Sequence, residues 1–240
     1  MTLKLNLSNI TTILACGDLH GKIEPLAFKL QEQHKLKNCV CFCAGDIGLG
    51  FHKENYYHQL FKHLNDKLVK SNNYLLLIRG NHDDPAYWNC TQYNTSNILL
   101  IPDYTMVQIN GKNILCIGGA ISVDRILRKQ GISYWEGENF QYQEQLLEGI
   151  IPNVVITHSS PDFCFPFTKD GITDWMEKDP ELRKDVDEER QGHTKVFEKL
   201  LKNGAIPSVW IYGHFHSSHL MYYQHTKFVL LNELELYEIK

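Results

Sequence analysis

Seven side chains able to grip a cation fall into five short blocks of this chain. Asp18 and His20 stand two apart in Gly17-Asp18-Leu19-His20-Gly21, and His214 and His216 repeat the spacing in Gly213-His214-Phe215-His216. Asp46 follows Gly45, Asn81 lies in Arg79-Gly80-Asn81-His82-Asp83, and His158 follows Thr157. A neutral amide oxygen beside carboxylates and imidazoles suits a hard or borderline divalent ion. Two such ions about 3.5–4 Å apart lower the pKa of a shared water and clamp phosphoryl oxygens, which are needs of phosphate ester hydrolysis. Asp46 is the expected carboxylate between the ions. His82, adjacent to Asn81, is placed to protonate the leaving oxygen or to hydrogen-bond the transition state.

Each block follows an apolar run: Thr12 to Cys16, Val40 to Ala44, Tyr74 to Ile78, Val154 to Thr157 and Val209 to Tyr212. Such runs suit strands buried on both faces, with ligands at their carboxyl ends. The expectation is one edge of one sheet. Gly45 lets the chain turn tightly before Asp46. Between the first runs lie a helix starting near Pro25, with Leu26, Leu30 and Leu36 on one face, and a helix over 53–70. The second carries Tyr57, Leu60, Phe61, Leu64 and Leu68 as an apolar stripe. The β-α-β-α-β order predicts parallel strands with right-handed crossovers.

Beyond Pro85 the pattern predicts strands over 98–101, 105–109 and 113–117, the last two joined at Asn110-Gly111 by a tight hairpin turn. It predicts a helix over 139–148, a strand over 152–157, a loop over 159–180 and a helix over 181–202. Within that region, 177–190 reads as an exposed charged helix. Strands are expected over 208–212, 218–223, 228–231 and 233–239. No internal repeat or linker interrupts the 240 residues, so the expectation is a single domain, 1–240.

A net charge of -4 makes no global case for nucleic acid or an anionic membrane, although a local basic groove is compatible with it. No apolar run approaches the roughly 20 residues that span a bilayer. Seven cysteines without a signal-like N-terminus point to reduced thiols and a cytoplasmic setting. Cys39, Cys41 and Cys43 alternate and share one strand face. They are expected as small buried hydrophobes, a soft-metal site being the alternative. No obligate protein partner is inferred.

Together, Asp18-x-His20, Gly45-Asp46, Gly80-Asn81-His82-Asp83, Thr157-His158 and Gly213-His214-x-His216 resemble the five blocks of the calcineurin-like metallophosphoesterases, from residue 16 to 216. The resemblance implies a four-layer α/β/β/α sandwich, two mixed sheets packed together with helices outside. It implies one metal held by Asp18, His20, Asp46 and His216, and another by Asp46, Asn81, His158 and His214, with His82 catalytic. Manganese, iron and zinc serve in the family. Its Ser/Thr phosphatases and diadenosine tetraphosphatases extend the second block with an Asp and an Arg. Here Leu49 and Gly50 stand there, and Asp83 stands where the phosphatases carry Glu. The segment Gly118-Gly119-Ala120-x-Ser122-x-Asp124-Arg125, with Arg128, Gly131 and Trp135-x-Gly137-Glu138, is similar to small stand-alone bacterial and phage members.

The expected activity is metal-dependent phosphoester hydrolysis, with a phosphodiester or small nucleotide favoured as substrate. A phosphomonoesterase or protein phosphatase and a nuclease are the alternatives. A non-catalytic interaction module is the alternative of another class, and the complete ligand set argues against it. Arg125 and Arg128 are candidates to fork onto a substrate phosphate, or else form structural ion pairs. Tyr134, Trp135 and the Phe163-Phe165-Phe167 loop are candidates to stack a nucleobase, or else pack beneath a long loop. Arg190 and His193 belong to the predicted charged helix. His34, His52, His58, His63, His219 and His225 have no motif around them and read as surface or packing residues.

Overall fold

Cys39, Cys41 and Cys43 leave their strand on one face and Val40 and Phe42 on the other, and the two sets meet different layers. The computed structural model describes residues 2–5, 7 and 9–240. Its strands are β1 (Thr2–Lys4), β2 (Thr12–Cys16), β3 (Cys39–Cys43), β4 (Tyr74–Leu77), β5 (Ile98–Leu100), β6 (Thr105–Ile109), β7 (Lys112–Ile117), β8 (Val154–Thr157), β9 (Val209–Tyr212), β10 (His219–Tyr223), β11 (Thr226–Leu230) and β12 (Leu236–Glu238). Its α-helices are α1 (Ile23–Phe28), α2 (Glu54–Ser71), α3 (Thr173–Lys178) and α4 (Leu182–Lys202).

One sheet runs β12-β2-β3-β4-β5, the other β1-β6-β7-β8-β9-β11-β10. In the first, β2 to β5 are parallel and β12 is antiparallel. In the second, β6 and β7 form an antiparallel hairpin, while β7, β8, β9 and β11 run parallel. Asn110 and Gly111 connect the hairpin with φ of 48° and 75°, as a two-residue turn matched to strand twist requires.

The inner faces pack together: Ile13, Val40, Phe42 and Leu76 meet Val107, Ile114, Ile156 and Ile211. The outer face of the five-stranded sheet, including the three alternating cysteines, lies under Leu26, Leu30, Tyr57, Phe61, Leu64 and Leu68 of α1 and α2 and the turn between them. The outer face of the other sheet, with Trp210 and Phe228, lies under Val196, Phe197 and Leu200 of α4. Each such large side chain contributes about 1.5–3 kcal/mol on burial. The result is the α/β/β/α sandwich of two mixed sheets. Burial pushes the Cys43 thiol up and Cys39 up to about 12, so both stay protonated, and they serve as small core residues.

Four expectations are corrected. The motif-bearing strands are divided between the two sheets, β2, β3 and β4 in one and β8 and β9 in the other, so the candidate ligands meet where two sheet edges stack. Residues 139–148 hold one 3₁₀ turn, Glu144–Leu147, because Phe140 and Leu147 are drawn onto the seven-stranded sheet. The 159–180 segment contains α3 and the 3₁₀ turn Asp170–Ile172. On α4, Glu189, Arg190 and His193 are buried, since the helix lies against the 161–166 loop and Phe140. No helix among the described residues is long and apolar enough to cross a membrane.

The loops carrying the motifs are tied by Asp83. Its carboxylate accepts from the N–H groups of Ile47 (3.0 Å), Gly48 (2.7 Å), Leu49 (2.9 Å) and Gly80 (2.7 Å). Removing it strands four N–H groups in a largely buried place. Asp83→Ala should lower stability by about 3 kcal/mol or more, and Asp83→Asn by less, in urea unfolding. A loss under about 0.5 kcal/mol for the alanine variant, the range of an ordinary surface change, would refute this role.

Candidate metal centre

The ends of β2, β3 and β9 bring Asp18, His20, Asp46 and His216 together, each offering a donor atom within 4.8 Å of the others. His20 Nε2 and His216 Nε2 face each other at 2.9 Å. Asp46 Oδ2 is 3.5 Å from His20 Nε2, and Asp18 Oδ2 is 3.4 Å from His216 Nε2. A second group adjoins on the far side of Asp46. His158 Nε2 lies 3.2 Å from Asp46 Oδ1 and 3.0 Å from Asn81 Oδ1, with the His214 ring 5.0 Å from that of His158.

Backbone and neighbouring side chains aim these groups. Asp18 accepts from the His214 N–H at 2.9 Å on each oxygen, and Asp46 Oδ1 accepts from the His82 N–H at 2.9 Å. His158 Nδ1 donates to the Ala44 carbonyl at 2.7 Å, which turns Nε2 to the centre. Asn81 Nδ2 donates to Ser122 Oγ at 3.0 Å, and the Ser122 hydroxyl donates to Glu138, so the amide oxygen faces inward. The motif glycines permit the close approach. A Cβ at Gly45 would sit 2.1 Å from His158 Nδ1, one at Gly80 2.1 Å from Asp46 Oδ1, and one at Gly213 2.1 Å from Asp18 Oδ1. His20, Asp46, His214 and His216 all adopt left-handed φ, 44° to 71°, a strained backbone that concentrates at functional sites.

The electrostatics call for a cation. Asp18 and Asp46 are 0 % and 1 % exposed. Burial pushes Asp18 up to about 7. Burial also opposes ionisation of Asp46, but His158 outweighs it and holds that carboxyl below the usual range. Burial disfavours the charged form of His158, yet Asp46 and Asp18 raise it to about 10. Burial lowers His20 and His214, leaving neutral imidazoles with lone pairs available. Buried carboxylates, neutral imidazoles and one amide oxygen form a nitrogen–oxygen donor set that fits borderline divalent ions.

At the edge of the centre, His82 Nε2 accepts from Arg128 Nη2 at 2.7 Å, and the ring lies 5.0 Å from that of His20. Arg128 Nε pairs with Asp124 at 2.6 Å. Burial first, with Arg128 acting in the same direction, lowers His82 to about 4. Phe51 stacks on His82 with centroids 6.2 Å apart. Leu49 is buried in the α2 layer, and a Cβ at Gly50 would sit 2.8 Å from Trp135, so neither position supplies a charged group.

Of the expected substrate contacts, Arg128 alone touches a centre residue. Arg125 turns away to Asp179 and Asp185, both at 2.6 Å, because α3 and α4 bring those carboxylates to it. Trp135 is buried against Phe51, and Tyr134 and Trp135 line neither of the two cavities that adjoin the centre. One cavity, about 260 Å³, reaches His20 and His82 and is walled by Phe51, His52 and Tyr56. The other, about 630 Å³, reaches His214 and His216 and is walled by Phe165, Phe167 and Phe215, while Phe163 packs into the core. Sequence reasoning assigned no role to Ser122, Glu138, Phe51 or His52. The first two stood in a quoted segment, but their link to Asn81 spans 41 and 57 residues, and no local spacing announces it.

A family model described as calcineurin-like phosphoesterase matches residues 11–218. No curated protein matches the chain. One solved structure aligns at 13% identity and a TM-score of 0.56 over 95% of this chain and 98% of its own, which shows a shared fold. The phosphopantetheinyl hydrolase of Mycobacterium tuberculosis aligns at 14% identity and 0.48 over 92% and 89%. A protein serine/threonine phosphatase from Saccharomyces cerevisiae aligns at 14% and 0.41 over 97% and 70%.

Metal analysis of purified variants tests the centre. Asp46→Asn should deplete metal from both groups, whereas His82→Ala should keep it. Metal lost from the His82 variant would contradict that division. Metal uptake should also release protons at pH 7, since His158 and part of the Asp18 population carry one beforehand. Affinity should therefore fall as pH drops, and calorimetry in buffers of different ionisation enthalpy reads the proton count.

Proposed function

The chain belongs to the calcineurin-like phosphoesterases, metal-dependent hydrolases of phosphate esters, and on that premise we propose that it cleaves a phosphodiester or small nucleotide at a two-metal centre bridged by Asp46. The observation that carries this reading is the two-sidedness of Asp46. Its Oδ2 faces His20 and its Oδ1 faces His158 and the Asn81 group, one oxygen for each ligand set. Asp18, His20, Asp46 and His216 would hold one ion, and Asp46, Asn81, His158 and His214 the other. Manganese, iron or zinc suits these donors. Bound there, the ions supply Lewis acidity and an acidified water. Residues 1–240 act in this reading as a single catalytic domain.

The protein's own groups do the rest. Arg128 presents its guanidinium at the mouth of the centre and forks onto phosphoryl oxygens as their charge grows. Asp124 holds the arginine stem side in place. Once a phosphate engages Arg128, His82 Nε2 loses the N–H it accepts, and with the ring proton moved from Nδ1 to Nε2 the imidazole would donate to the leaving oxygen. Two features support a diester or nucleotide. The Asp–Arg pair of the phosphatases is absent at Leu49 and Gly50, and two cavities flank the ligands, one for each substituent of a diester phosphorus.

With manganese, turnover of bis-p-nitrophenyl phosphate should exceed that of p-nitrophenyl phosphate, and equal or faster monoester cleavage would overturn the diester preference. Arg128→Ala should lower kcat/KM about 10²-fold, with Arg128→Lys intermediate. Unchanged kinetics in the alanine variant would remove Arg128 from substrate binding.

A further inference from the structure

The larger cavity has a chemistry that the centre does not explain. Its volume of about 630 Å³ is that of a small-molecule site. Phe165, Phe167, Phe215, Ile121, Val123 and Val186 give it apolar and aromatic walls. One acidic group lines the cavity, Glu189 of α4. It is 7 % exposed, and its Oε2 has no hydrogen-bond partner among the described residues. A buried acceptor short of partners is costly, and burial pushes Glu189 up to about 7, with the Ser159 hydroxyl and the Ile121 N–H acting the other way on its carboxylate.

The cations nearby are engaged elsewhere. Arg190 donates to the carbonyls of Pro161 (2.8 Å), Cys164 (2.6 Å) and Pro166 (2.6 Å), clamping the 161–166 loop onto α4. Lys169 pairs with Asp187. Of the Arg190 donors only Nε is left without a partner among the described residues, so a second phosphate entering here would meet a carboxylate beside a guanidinium already committed to three carbonyls. An alkyl chain would fill the walls and leave Glu189 unmatched. A flat heteroaromatic ring bearing an N–H donor satisfies both, stacking on phenylalanine faces and donating to the carboxylate.

We propose that this cavity is the base subsite of the enzyme: it takes the nucleobase of a nucleotide phosphoester whose phosphorus lies at the metal centre, with Glu189 Oε2 accepting a base N–H. The proposal rests on the phosphoesterase reading above for the place of the phosphorus. His214 and His216 join the two sites, since each lines the cavity and belongs to the ligand set.

Calorimetry on manganese-loaded His82→Ala protein, which spares the ligand, compares adenosine and guanosine 5′-monophosphate with ribose 5-phosphate. At least one nucleotide should bind tenfold or more tightly than the sugar phosphate. Glu189→Met should reduce that ratio about tenfold, and Val186→Trp, which fills the cavity, should abolish it, with ribose 5-phosphate binding unchanged in both. Equal binding of all three ligands, binding of none, or a ratio that survives Val186→Trp would overturn the subsite. Hydrolysis of bis-p-nitrophenyl phosphate by the parent protein separates the two readings. Turnover without base discrimination overturns the subsite alone. Base discrimination without turnover upholds the subsite and overturns the proposed activity.

Discussion

Two carboxylates, Asp18 and Asp46, are buried where two sheets meet, and most of the surrounding architecture answers to their charge. Withdrawing each from water costs several kcal/mol unless opposite charge and hydrogen bonds replace the lost hydration. The backbone N–H groups of His82 and His214 supply part of that, and His158 supplies a proton-bearing partner. Such contacts require the backbone to come within hydrogen-bond range of a side chain. Gly80 and Gly213 precede the residues that do so, and any Cβ there would occupy the carboxylate's place. The left-handed backbone of four candidate ligand residues accompanies the same crowding.

A second ring of contacts holds the first. Asp83 gathers four N–H groups from the loops after β3 and β4. Arg79, buried just before Gly80, donates to Asp103 and to the carbonyls of residues 137–139, which brings Glu138 beside Ser122. Ser122 then fixes the Asn81 amide with its oxygen inward. An amide that could flip would offer the centre an N–H where it needs an acceptor. The arginine of the third block is thus a structural clamp, and the arginine that reaches His82, Arg128, comes from a different part of the chain.

That displacement separates the centre from its rim. The motif blocks keep the pattern that the family resemblance rests on, while Gly50, packed against Trp135, brings no charged group to the rim. Arg128 brings a guanidinium to His82 from the segment after β7 instead. Around this edge the two cavities differ in size and lining: one is edged by histidines and aromatics, the other is apolar with a single buried acid. Substrate choice lives in such grafted surroundings more than in the fold.

Local sequence determined the candidate ligands, because each sits at the carboxyl end of a short apolar strand, where spacing alone puts it on a loop facing an edge. The strands β2, β3, β4, β8 and β9, the stripe on α2 and the Asn110-Gly111 hairpin were legible for the same reason: their periods are local. The division of those strands into two sheets was not legible in this local way, only through the resemblance of the five blocks, since runs buried on both faces carry no mark of which neighbour they take. Nor was the fate of the charged side chains. Arg125 and Arg128 are three residues apart, yet one joins Asp179 and Asp185 and the other reaches His82. Glu189, in a stretch that reads as an exposed helix, ends buried on a cavity. Only tertiary packing decides these, because a charge is paired, solvated or stranded according to groups that lie tens to hundreds of residues away.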